Sequence, residues 1–75
     1  MAKKAQRITL YKKIWCKVRY LQNLKDISDA ELANYLCVGE RTLHEYDKNA
    51  ANVTLGRIDS LLYITGMELD DLMAL

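Results

Sequence analysis

The stretch Ile27-Ser28-Asp29-Ala30-Glu31-Leu32-Ala33-Asn34-Tyr35-Leu36-Cys37-Val38-Gly39-Glu40-Arg41-Thr42-Leu43 predicts two short helices joined by a three-residue turn. It begins with a capping box. The Ser28 hydroxyl is placed to accept from the amide of Glu31, whose carboxylate reaches back to the start of the helix. Ala30, Leu32, Ala33 and Leu36 then recur at helical steps and are expected to face inward. Cys37-Val38-Gly39 is too brief for anything but a tight turn. A helix from Glu40 to about Lys48 follows, with Leu43 and Tyr46 three apart on its buried side.

Toward the N-terminus, Leu10, Ile14, Val18 and Leu21 form the apolar stripe of an amphipathic helix that ends near residues 22–24. Tyr11 and Trp15 widen the stripe, and the opposite face is almost purely Lys and Arg. Toward the C-terminus, Asn49 is expected to close the helix in a left-handed conformation. Thr54 then caps a fourth helix, with Leu55, Ile58, Leu61 and Leu62 inward and a stop at Gly66. A last short helix, about 69–74, offers Leu69, Leu72, Met73 and Leu75, with Asp70 and Asp71 complementing its dipole. Residues 1–8 read as a flexible basic arm and residues 9–75 as a single all-α domain.

Seventy-five residues suffice for one small domain, hiding only about 60% of the surface its unfolded chain exposes. There is no proline, no long apolar run to span a membrane and no secretory leader pattern, so a cytoplasmic location is expected. Cys16, Cys37 and His44 are too few for a structural zinc site, and the two thiols are expected to stay reduced and serve as small apolar groups. No nucleophile–base pairing has a recognisable spacing and the chain has no room for a pocket. Neither an enzyme, nor a metal or cofactor, nor a small-molecule ligand is therefore expected.

Charge is polarised along the chain. Residues 1–25 carry eight Lys and Arg and no acid, whereas residues 26–75 carry three basic and ten acidic groups, a net of −7. Either the arm and first helix meet an anionic partner, or the basic helix covers an acidic bundle from within.

The segment Ile27-Ser28-Asp29-Ala30-Glu31-Leu32-Ala33 resembles the opening of the helix-turn-helix in the Cro/repressor family, often called XRE. Val38 and Leu43 match its turn and recognition-helix anchors, Asp47 its usual Glu and Asn49 its usual Gly. Ile58, Leu61, Gly66, Met67 and Leu72 fall where later helices of the family carry core residues. The resemblance covers roughly residues 14–73 and implies a five-helix lambda-repressor-like domain whose helices 2 and 3 form the helix-turn-helix. It further implies a bacterial or phage transcription regulator that reads double-stranded DNA, as a homodimer through its C-terminal helix.

Carried over by position, Glu40, Arg41, Thr42 and Glu45 face base edges, where Arg41 would fork onto guanine and a glutamate accept from cytosine. Lys3, Lys4, Arg7, Ser28, Asp29, His44, Lys48 and Thr54 lie where related domains approach the DNA backbone. Asp29 replaces the usual Gln there. Gln22 stands where many members have an Arg paired to the acid at the position of Asp47, so that ion pair is expected to be lost or to become a hydrogen bond. Cys37 holds a turn position often given to glycine. The alternative function is a protein-interaction module of the same fold, such as an antitoxin, an antirepressor or a phage anti-defence factor, whose acidic third helix meets another protein.

Overall fold

The computed structural model describes residues 7–75, which form five α-helices and no strand. These are α1 (Leu10–Leu24), α2 (Asp29–Leu36), α3 (Glu40–Lys48), α4 (Leu55–Thr65) and α5 (Leu69–Met73), with one 3-10 turn (Ala50–Asn52) between α3 and α4. Lys3 and Lys4 of the expected arm lie outside the described residues. Arg7 and Ile8 are exposed and precede the helix start at Thr9.

Side chains written into the sequence start the helices. Ser28 Oγ accepts from the Glu31 amide at 3.1 Å while Glu31 accepts from the Ser28 amide at 3.0 Å, completing the capping box. Thr54 Oγ1 accepts from the Arg57 amide at 3.3 Å and opens α4. Asn49 departs from expectation: its φ of −149° is extended, not left-handed. The chain leaves α3 straight into the 3-10 turn, whose free amide at Ala51 is met by Asn49 Oδ1 at 3.1 Å.

Three helices end alike. The residues in the left-handed region are Asp26 (φ 53°), Cys37 (φ 60°) and Gly66 (φ 71°). After each, an amide reaches five residues back to a helical carbonyl: Ile27 to Gln22 at 3.0 Å, Val38 to Ala33 at 2.9 Å and Met67 to Leu62 at 3.0 Å. This closure satisfies carbonyls that a helix end would leave unpaired. It turns the chain sharply enough to fold α3 back onto α2, and only one of the three positions is the glycine that suits it best.

Every helix sends at least one fully covered side chain into a common centre: Val18 and Leu21, Leu32 and Leu36, Leu43, Leu61, and Leu72. Trp15 and Tyr46 complete it, edge to face with centroids 5.2 Å apart. Ala33 is buried, as its small size suggested. Five residues expected on the apolar faces are not: Leu10, Tyr11, Ala30, Leu55 and Leu69 are exposed. Leu10 and Leu55 are the first residues of their helices and lie beyond the layer that neighbouring helices cover. Cys16 and Cys37 are unpaired as expected, but both are exposed and fill no core space.

A left-handed conformation puts Cβ against the following carbonyl in any residue but glycine. Cys37→Gly should therefore stabilise the fold by about 1 kcal/mol, or several degrees in melting temperature for a domain this size. Chemical and thermal unfolding of the two proteins measure it. A destabilised variant would mean that the Cys37 thiol, 3.6 Å from Ser60 Oγ, outweighs the relief of strain.

Candidate nucleic-acid interface

α3 is amphipathic in the strict sense that one flank is gripped and the other is bare. Leu43 and Tyr46 are buried, whereas Glu40, Arg41, His44, Glu45, Asp47 and Lys48 are exposed and Thr42 is half-buried. Arg41, Glu45 and Lys48 succeed one another at four- and three-residue steps and so share one outward row. Glu40 lies in the first turn of α3 and Lys48 in its last, each complementing the helix dipole at its own end.

The orientation of that row is set by one guanidinium. Arg19 on α1 grips Asp47 on α3 with a two-pronged contact: Nε to Oδ1 at 3.0 Å and Nη2 to Oδ2 at 2.7 Å. Its remaining nitrogen, Nη1, donates to Asp29 Oδ1 at the start of α2 (3.1 Å) and to Gln22 Oε1 (2.6 Å). Gln22, almost fully buried, turns its amide nitrogen to Asp29 Oδ1 at 2.7 Å. Trp15 completes the arrangement, its indole N–H donating to Asp47 Oδ1 at 2.7 Å and its ring lying 5.5 Å from the Arg19 guanidinium carbon. Three helices meet in one hydrogen-bonded cluster.

The ion pair to Asp47 is therefore not lost. Gln22 cannot make it, but Arg19, one turn earlier on the same flank of α1, has the length to reach and takes it over. Asp29 is corrected in turn. Its carboxylate is not left bare against a phosphate backbone; it is committed to Gln22 and Arg19. The Ser28 and Thr54 hydroxyls are likewise engaged as helix caps. His44 sits over the cluster, 3.8 Å from Asp29 Oδ2 and 3.9 Å from Asp47 Oδ2, and is mostly solvated.

These contacts set the electrostatics. The amide of Gln22, followed by Arg19, holds the Asp29 carboxyl below the usual carboxylate range, and Arg19, reinforced by Trp15, does the same for Asp47. Asp47 above all, and Asp29 after it, raise the Arg19 guanidinium in turn. With Glu31 tied into its cap, the uncommitted charges on the outward row and its start are two of each sign, Glu40 and Glu45 against Arg41 and Lys48. The surface is more nearly neutral than the bare sequence suggests. Arg19 is the residue that sequence reasoning missed. Its only signal was its spacing, three residues before Gln22 and on the edge of the apolar stripe.

No protein-family model matches this chain, and no curated protein or solved structure matches it either. Among the described residues no helix is long and apolar enough to cross a membrane, and no group of side chains is arranged to hold a metal ion.

Arg19→Met removes the fork on Asp47, at a cost of about 1 kcal/mol once solvent screening of that partly exposed carboxylate is allowed for, and takes the shared cation from Asp29 as well. Arg19→Lys should recover only part of this, because an ammonium cannot make the paired contact. Both acids titrate lower in the folded state than in the unfolded chain. Their stabilising effect is thus present above the ordinary carboxylate range and is lost as pH falls through it, below about pH 4. Acid unfolding of Arg19→Met should accordingly lose part of that pH dependence, and identical profiles for the two proteins would show the cluster to be energetically idle.

Proposed function

We propose that this chain is a sequence-specific double-stranded DNA-binding regulator, in which α2 and α3 act as a helix-turn-helix of Cro/repressor type and α3 enters the major groove. The observation that carries this reading is the bare outward flank of α3, with Arg41 at its N-terminal end while the opposite flank is locked to α1 and α2. Base edges are read by the N-terminal residues of such a helix, here Glu40, Arg41, Thr42 and Glu45. Lys48 and Arg7 are exposed cations suited to phosphates, Ser28 and Thr54 open helices whose N-terminal ends favour anions, and His44 is exposed beside the start of α2. The three-residue turn, the left-handed Cys37 and the buried Ala33 and Leu43 support the helix-turn-helix assignment.

A second reading has one observation in its favour: Glu40 and Glu45 put two carboxylates on the reading flank. A protein-interaction module would use them toward a basic partner.

Selection from a random duplex pool, followed by titration at several salt concentrations, separates the two. A regulator shows a site preference, with affinity falling steeply as salt rises. On the selected site, Arg41→Ala should cost about 1–3 kcal/mol and relax one base position, whereas Lys48→Ala should weaken all sequences alike and flatten the salt slope by about one. Absence of any enriched sequence at low salt would overturn the assignment in favour of the protein-interaction module.

A further inference from the structure

We propose that the cleft between α1 and the end of α3 binds a purine nucleoside monophosphate. This inference does not rest on α3 reading DNA. The expectation that so short a chain has no room for a pocket is not met: the cleft measures about 620 Å³, is open to solvent, and falls in the size range of small-molecule sites. One wall is α1, whose Lys12, Cys16, Tyr20 and Asn23 succeed one another at four- and three-residue steps and form a single row. The other wall is the end of α3 with the 3-10 turn, and it contributes Lys48.

Charge and shape together select the occupant. Arg19 and Asp47 also line the cleft, but they neutralise each other, and both Asp47 oxygens are taken by Arg19 and Trp15. Lys12 and Lys48 remain, one on each wall and neither with an ion-pair partner among the described residues. A cleft with two spare cations and no spare acid draws an anion, and a phosphate monoester brings a charge of about −1.5 to −2 at neutral pH. The C-terminal end of α3 opposes this with about half a negative charge, which the full charge of Lys48 outweighs. A bare phosphate would leave the rest of the cleft unused. Tyr20 is 50% exposed, has no aromatic partner among the described residues, and lies about 12 Å along the helix from Lys12. Cys16, between them, is too short to fill the gap. A ligand with a phosphate at one end and a flat ring at the other spans it, and nucleobases stack on tyrosine rings through their π-faces. Asn23, exposed one turn beyond Tyr20, offers an amide that donates and accepts at a purine edge.

Calorimetric titration of the chain with adenosine monophosphate, in the absence of duplex DNA, tests the proposal. Binding should saturate at one nucleotide per chain, with adenosine and inorganic phosphate each about tenfold weaker or more. Lys12→Gln and Lys48→Gln should each weaken it several-fold and Tyr20→Ala about tenfold, whereas Tyr20→Phe keeps the stacking face and most of the affinity. These side chains are exposed, so the helical circular dichroism should stay unchanged. Lys13→Gln alters an exposed neighbour that does not line the cleft and should leave the affinity as it was. Absence of saturable heat at millimolar nucleotide overturns the proposal. So does inorganic phosphate binding as tightly as the nucleotide, or a loss with Lys13→Gln equal to that with Lys12→Gln, since either reduces the cleft to a diffuse positive surface. A single-stranded oligodeoxyadenylate that binds far more tightly than the mononucleotide overturns the free ligand in favour of a strand. None of these results depends on the duplex selection, so either reading can fail alone.

Discussion

Arg19 is the constraint from which the arrangement of the first three helices follows. A domain this small has only about seven fully buried side chains to fix its helices, and leucines packed against leucines set distance better than direction. A guanidinium fork is directional: it fixes the C-terminal half of α3 against α1 in two bonds, and its third arm fixes the first residue of α2. Stacking on Trp15 limits the rotamers Arg19 can visit, and Trp15 is itself immobilised by Tyr46 and by its bond to Asp47. The outward row of α3 is therefore presented by a rigid support, which is what any surface that recognises a fixed pattern requires.

The same cluster explains why three polar side chains near the core cause no penalty. Gln22 is nearly buried, yet both ends of its amide are satisfied, and no buried side-chain nitrogen or oxygen among the described residues lacks a partner. Removing Arg19 would reverse that sign, because Gln22 Oε1 would lose its donor and the two acids, each left with one hydrogen bond, would no longer share a cation. Specificity of arrangement and electrostatic economy come from one residue.

How much of this was legible depends on the range of the interaction involved. Helix starts at Ser28 and Thr54, the stop at Gly66 and the tight turn at Cys37 are local, and residues within four positions decide them. Periodicity located the centre of the core for the same reason. It failed at Leu10 and Leu55, because a stripe says which way a residue faces and not whether a neighbouring helix extends far enough to cover it. Asn49 failed because two features competed for it, and the amide of Ala51 won. Arg19 failed because its partners are ten and twenty-eight residues away, and a long side chain can reach across a helix gap that pattern reading treats as fixed.

The charge polarity of the sequence also resolves only in three dimensions, and the internal pairing accounts for part of it. Arg19 is used inside the bundle on acids of α2 and α3, and Lys17 donates to the carbonyl of Leu75 at 2.6 Å, tying α1 to the end of the chain. To that extent the basic helix does cover an acidic bundle. Arg7, Lys12, Lys13 and Lys25 have no such partner among the described residues and remain available outside. The division matters, because cations consumed internally cannot steer a polyanion. Lys12 borders the cleft that also holds Lys48 and the end of α3. A cation left over by the internal pairing therefore stands beside the exposed end of α3.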